Sequence, residues 1–189
     1  LEQELGTLVD ALAAAGVECM ILKGPAMARQ AYPVPEWRVY DDLDFWVETR
    51  QLDAVSCALE QAGYARTLSL SSRARACARR AGIEESWVHP ESGRLIEFSH
   101  GTAALGPSAR AARDVRTSAV FVEIAGRSIR TSSPVHTLLL ACAHGTHHRW
   151  DRLSWVVDVA GLWRTFSQSE RAMAPSVARR WNMQHRLGL

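Results

Sequence analysis

Arg38-Val39-Tyr40-Asp41-Asp42-Leu43-Asp44-Phe45-Trp46-Val47 carries an acid-apolar-acid triplet straight into an apolar segment. On a strand, side chains alternate between faces, so Asp42 and Asp44 point one way and Leu43 the other. Two carboxylates a few ångströms apart repel each other unless something neutralises them. Mg²⁺, or Mn²⁺ in its place, is the hard cation that such oxygen ligands usually take. The pair is therefore a candidate metal site, set against the plain alternative of a solvated strand start.

Working outward, Val17–Leu22 is a short apolar run that reads as a buried strand and ends at Lys23-Gly24-Pro25. Gly24 permits a tight turn with an accessible backbone N–H, and Pro25 suits the first position of a helix. A strand, a glycine turn and a helix aim backbone donors over the strand end, which is a natural phosphate site. Lys23 is the only lysine in a chain that otherwise spells positive charge as arginine. It reads either as a phosphate contact or as a plain surface lysine. Arg38 divides likewise between phosphate and an ion pair with Asp41 or Asp42. Downstream, Glu97 sits mid-strand in Leu95-Ile96-Glu97-Phe98, an expensive place for a charge without a partner. Beside the strand of Asp42 and Asp44 it completes an acidic triad able to hold one or two metal ions and to accept a proton.

The remaining periodicities give the frame. Helical spacing over residues 2–15 is closed by Gly16, and a second amphipathic helix over 50–62 by Gly63. Residues 69–81 read as a helix or a connection. Residues 86–89 with 94–98, and 120–124 with 128–131, flank turn sequences and form hairpins. From Pro134 the period becomes helical, with helices over about 134–148, 153–166 and 170–186. This predicts an α+β fold, a mixed sheet flanked by helices and followed by a helical bundle, divided into an α/β domain over 1–132 and a helical region over 133–189. That region holds His144 and His148, four apart on one helix face, then Trp150 and Asp158. They read as pocket wall and acceptor contacts, or as a zinc site that lacks the glutamate of the His-Glu-x-x-His pattern.

Composition narrows the classes. The 189 residues carry a net charge of +2, too mild for a surface that coats nucleic acid. The arginines Arg73, Arg75, Arg79 and Arg80 are read as a solvated face before an RNA contact. Four scattered cysteines argue for a reducing, cytoplasmic setting without disulfides. No apolar run nears the length of a membrane span, so no membrane partner is expected. The chain begins at Leu1, and residues missing at either end are compatible with the sequence.

Leu22-Lys23-Gly24, Tyr32-Pro33, Arg38, Asp42-Leu43-Asp44 and the later His144-Gly145, His148-Arg149-Trp150, Leu153, Trp155 and Asp158 together resemble the bacterial uncharacterised nucleotidyltransferase family of the polymerase β-like superfamily. The resemblance spans roughly Val17 to Trp163. It implies an enzyme that moves a nucleoside monophosphate from an NTP to an unidentified acceptor, with Asp42 and Asp44 as metal ligands and Gly24 against the phosphates. Two departures stand out. The superfamily's usual Gly-Ser is Lys-Gly here, and His100 falls three residues after Glu97 instead of two, leaving it as a candidate acceptor contact. A catalytically degenerate nucleotide-binding or partner-binding protein is the alternative those departures motivate, and a zinc hydrolase on His144, His148 and Asp158 is the other.

Overall fold

The computed structural model describes residues 2–186. Its first half runs α1 (Glu2–Ala14), β1 (Cys19–Ile21), α2 (Gly24–Ala31), β2 (Asp42–Val47), α3 (Leu52–Gln61), β3 (Ala65–Arg66), α4 (Ser72–Arg80), β4 (Glu85–Val88) and β5 (Leu95–His100). The second half adds α5 (Ala109–Thr117), β6 (Val120–Ile124), β7 (Arg127–Thr131), α6 (Pro134–His147), α7 (Leu153–Thr165) and α8 (Gln168–Arg180). The seven strands form one mixed sheet in the order β3-β4-β5-β2-β1-β7-β6. The expected α+β architecture is thus present. Residues 69–81 resolve into the helix α4, capped by the Ser71 hydroxyl accepting from the Ala74 N–H. The sequence reading had not anticipated β3 and α5.

β2 lies at the centre, antiparallel to β1 and parallel to β5. A parallel central strand is covered on both faces, and from Leu43 to Val47 every residue of β2 is buried. Leu43, Phe45 and Val47 face α1 and α3, packing with Leu5, Leu8, Leu12, Val55 and Leu59. The Phe45 and Phe98 rings, paired across β2 and β5, stack at 5.1 Å. On the other face Trp46 joins Met20 and Leu22 against α5, α6, α7 and α8, through Val115, Leu138, Leu139, Leu162, Val177 and Trp181. The helices that follow the last strand therefore share one apolar cluster with the sheet.

The same face holds His136, buried at the start of α6 and stacked on Trp181 at 5.1 Å. Its Nδ1 meets the Ser118 and Ser133 hydroxyls at 2.8 and 2.7 Å, while Nε2 is buried without a partner. Burial pushes the imidazole down to about 4; Asp114 opposes that shift and Arg180 adds to it. A depressed histidine favours the neutral form in the fold, so its contribution is complete above the unfolded value of 6.5 and is lost as the pH falls towards 4. The expected loss over that window is up to about 3 kcal/mol. Urea unfolding midpoints of wild type and His136→Asn should diverge between pH 7 and pH 4, the wild type losing more stability as the pH falls; identical slopes would refute the assignment.

Candidate active site

The parallel register of β2 and β5 sets Asp44 directly beside Glu97, and Asp42 two residues earlier lies on the same face. The three side chains can each present an oxygen within 4.8 Å of the other two. Asp44 is buried, 6% exposed, and its neighbours are half-buried. Burial first, and then the charge of Asp44, raise the Asp42 carboxyl above the ordinary carboxylate range. Glu97 is raised in the same way, with Glu84 adding to the repulsion. All three donors are hard oxygens, set close together and partly withdrawn from water. That is the donor set a divalent hard cation fits.

One cation of the chain reaches the triad. The Leu22 N–H donates to the Asp44 carbonyl at 3.1 Å, carrying the β1–β2 ladder to the edge of Lys23. Lys23 Nζ then lies 3.0 Å from Asp44 Oδ1. Burial lowers the ammonium, but attraction by Asp44, supported by Asp42 and Glu84, outweighs it and leaves Lys23 raised. Gly24 follows with φ of +52°, a left-handed conformation that an L side chain rarely adopts, and Pro25 opens α2.

Arg38 does not pair with Asp41 or Asp42. It forms a fork with Asp158 of α7, Nε to Oδ1 at 2.9 Å and Nη2 to Oδ2 at 3.0 Å, while Nη1 donates to the Gly24 carbonyl at 3.2 Å. The Tyr32 hydroxyl donates to the same carboxylate at 2.7 Å. Arg38 thus meets the Lys23-Gly24 turn through the Gly24 backbone, with its fork already occupied. Gly161 makes this approach possible: a Cβ there would lie 2.6 Å from the Ala31 carbonyl oxygen, so α7 packs against α2 only without one.

These groups line a cleft of about 980 Å³, at the upper end of the range for small-molecule sites. Lys23, Arg38, Asp44, Glu97, His144, His148 and Asp158 all face it. His144 is pushed down to about 4, by burial first and then by the Lys23 charge. Asp42 and Gly24 adjoin this lining without being part of it, and two further expected residues lie elsewhere. His100 is buried on the face opposite Glu97, because strand alternation puts it with Phe98; its ring meets the Thr49 hydroxyl at 3.3 Å and the Ile83 carbonyl at 3.1 Å. Trp150 turns back over α6, where a Cβ on Gly145 would lie 2.5 Å from its ring. Among the described residues, the acids and histidines close enough to share a metal ion are Asp42, Asp44 and Glu97; His144, His148 and Asp158 do not form such a group, and Asp158 is engaged by Arg38 and Tyr32.

The cleft also holds residues the sequence reading did not place there. Trp155 lines it from α7, as do His147 from α6 and Glu84 from the loop before β4. Ser99 donates its hydroxyl to Glu84 Oε1, and His100 accompanies it by holding the Ile83 carbonyl. Trp155 was legible in principle, since it stands three residues before Asp158 on one helix face. Glu84 follows a glycine loop and gave no periodic signal.

The family model described as "Uncharacterised nucleotidyltransferase" matches residues 1–189. No curated protein matches the sequence. Among solved structures, the chain is similar to ANT(2″)-Ia in complex with adenylyl-2″-tobramycin, at 12% identity and a TM-score of 0.62, covering 95% of this chain and 98% of that one. It is also similar to the lincosamide antibiotic adenylyltransferase LnuA bound to lincomycin, at 15% identity and 0.59, covering 88% and 98%. An antigenic nucleotidyltransferase-like protein from Paracoccidioides brasiliensis aligns at 13% identity and 0.58, covering 97% and 89%. At these identities the likeness is one of fold.

The Arg38–Asp158 pair is almost closed to solvent, with side chains 12% and 4% exposed. Removing one partner of a buried pair leaves an uncompensated charge, typically at a cost of about 3–5 kcal/mol. Asp158→Ala is expected to lower stability by that order in urea unfolding, and Arg38→Met with Asp158→Leu to recover part of it. Equal loss in the single and double variants would show that the two residues are not coupled.

Proposed function

Because the chain belongs to the uncharacterised nucleotidyltransferase family, we propose that it transfers a nucleoside monophosphate from an NTP to a hydroxyl group of a small polar acceptor. The observation that carries this reading is the convergence of Asp42, Asp44 and Glu97 beside the Lys23-Gly24 turn, in a cleft large enough for two small molecules. Asp42, Asp44 and Glu97 would hold Mg²⁺, which when bound supplies charge neutralisation at the reacting phosphate.

The chain's own groups do the rest. Gly24 lets the backbone come close to the phosphates, and Lys23 adds a flexible point charge that can leave Asp44 for a phosphate oxygen. Arg38, locked by Asp158, fixes the Gly24 carbonyl and with it the direction of the turn. The acceptor hydroxyl attacks the α-phosphorus and pyrophosphate leaves. Glu97 takes the hydroxyl proton as the base of the reaction. Holding the reactants in line in a cleft is the larger part of such catalysis, because phosphoryl groups need positioning and charge stabilisation above all.

The neighbours supply acceptors to try by analogy of fold. One carries an adenylylated tobramycin and another lincomycin, so these two compounds are the first acceptors to assay. NTP and Mg²⁺ are supplied with each, and pyrophosphate release is measured. Asp42→Asn is expected to cut transfer by about 100-fold or more. It should also raise the melting temperature, because it removes a carboxylate whose charge the fold disfavours. Transfer that is unchanged in this variant would overturn the proposal, whereas loss of transfer together with a lower melting temperature would trace the defect to misfolding.

A further inference from the structure

We propose that His144, His148 and Trp155 form the nucleobase subsite, where a base is held by stacking on an aromatic wall. This deepens the reading of the cleft as a nucleotide site and rests on it. The three rings touch one another: His144 and His148 lie 4.6 Å apart between centroids, His144 and Trp155 4.8 Å, and His148 and Trp155 5.3 Å. All three line the cleft. Four residues apart on α6, the two histidines present one face, and Trp155 meets it from α7.

Two features set this cluster apart from aromatic packing in the core. His148 is exposed, and His144 and Trp155 are half-buried at the cleft wall, so the rings are reachable. Their ring nitrogens, moreover, make no hydrogen bond to protein among the described residues, whereas both nitrogens of His100 and Nδ1 of His136 are held by hydroxyls or a backbone carbonyl. The ring nitrogens of the cleft histidines are therefore open to a ligand.

The placement matches a nucleotide. Trp155 stands one turn before Asp158 on α7, and Asp158 holds the Arg38 that contacts the Gly24 carbonyl. His144 lies near enough to Lys23 and Asp44 to feel their charges. A base on this wall therefore sits beside the phosphate turn, away from the Glu84 side of the cleft. The exposed Arg152 guanidinium, 5.8 Å from the Trp155 ring centre, is a further planar group of the kind that stacks on bases.

Stacking is tolerant of base identity, because every base has a π-face. The test is calorimetric binding of the α,β-methylene analogues of ATP and CTP, and of inorganic tripolyphosphate, each with Mg²⁺. Both nucleotides are expected to bind more tightly than tripolyphosphate. Trp155→Ala should weaken the nucleotides about 10-fold or more and leave tripolyphosphate unchanged, while Trp155→Phe retains most of the affinity. His148→Ala, a change at an exposed position, carries the same test should Trp155→Ala fail to fold. If tripolyphosphate binds as tightly as the nucleotides, or if the variants weaken all ligands equally, the aromatic subsite is refuted and the phosphate site stands. If no ligand binds, the nucleotide reading falls and this inference with it.

Discussion

Asp42, Asp44 and Glu97 are held together by the backbone and have no way to separate. Their spacing is the register of two parallel strands, and β2 is fixed in that register by buried side chains on both faces. The repulsion is therefore a property of the fold. Between the ordinary carboxylate values and the raised ones, the folded chain binds more protons at Asp42 and Glu97 than the unfolded chain does. Stability from these groups consequently falls as the pH rises through that window. At neutral pH the site works against folding, and the two apolar clusters on either side of the sheet supply what it takes away. A local conflict of this kind, at a place where the rest of the sequence agrees with itself, is the physical mark of a functional site.

The second constraint is how α7 reaches the sheet. This helix buries only Asp158 and Leu162, so an ordinary apolar stripe does not dock it. It is docked by close approach at Gly161 and by one carboxylate that satisfies a guanidinium and a phenol at once. Buried charge pairs contribute little net stability, but their geometry is specific. Here the specificity serves the cleft: the same carboxylate that seats α7 sets Arg38 against the Lys23-Gly24 turn and brings Trp155 to the cleft wall.

Much of this was legible in the sequence because it is local. The alternation at Asp42-Leu43-Asp44, the Lys23-Gly24-Pro25 turn and the helical periods are each read from a handful of adjacent residues. What stayed hidden needed either weak signals or partners far along the chain. α5 is built from arginines and alanines, and only Ala111, Ala112 and Val115 are buried, too narrow a stripe to stand out. β3 has two residues. Arg38 sits beside Asp41 and Asp42 in sequence yet finds its partner 120 residues away. His100 is the instructive case: the alternation that put Asp42 and Asp44 on one face also puts Glu97 and Ser99 together and turns His100 away.

The sheet order explains why the cleft has two unlike sides. Across β4, β5, β2 and β1 the chemistry runs from Glu84 with Ser99, through Glu97, to Asp42 and Asp44, and then to Lys23. Beyond Lys23, the segment between α2 and β2 adds the locked Arg38, and the end of α6 with α7 adds the aromatic wall. One flank is thus polar and anionic, the other cationic and aromatic, and the carboxylates lie between them. A site for a single substrate has no need of such a gradient. Opposite chemistries thus meet at the carboxylates, and strand order places them there.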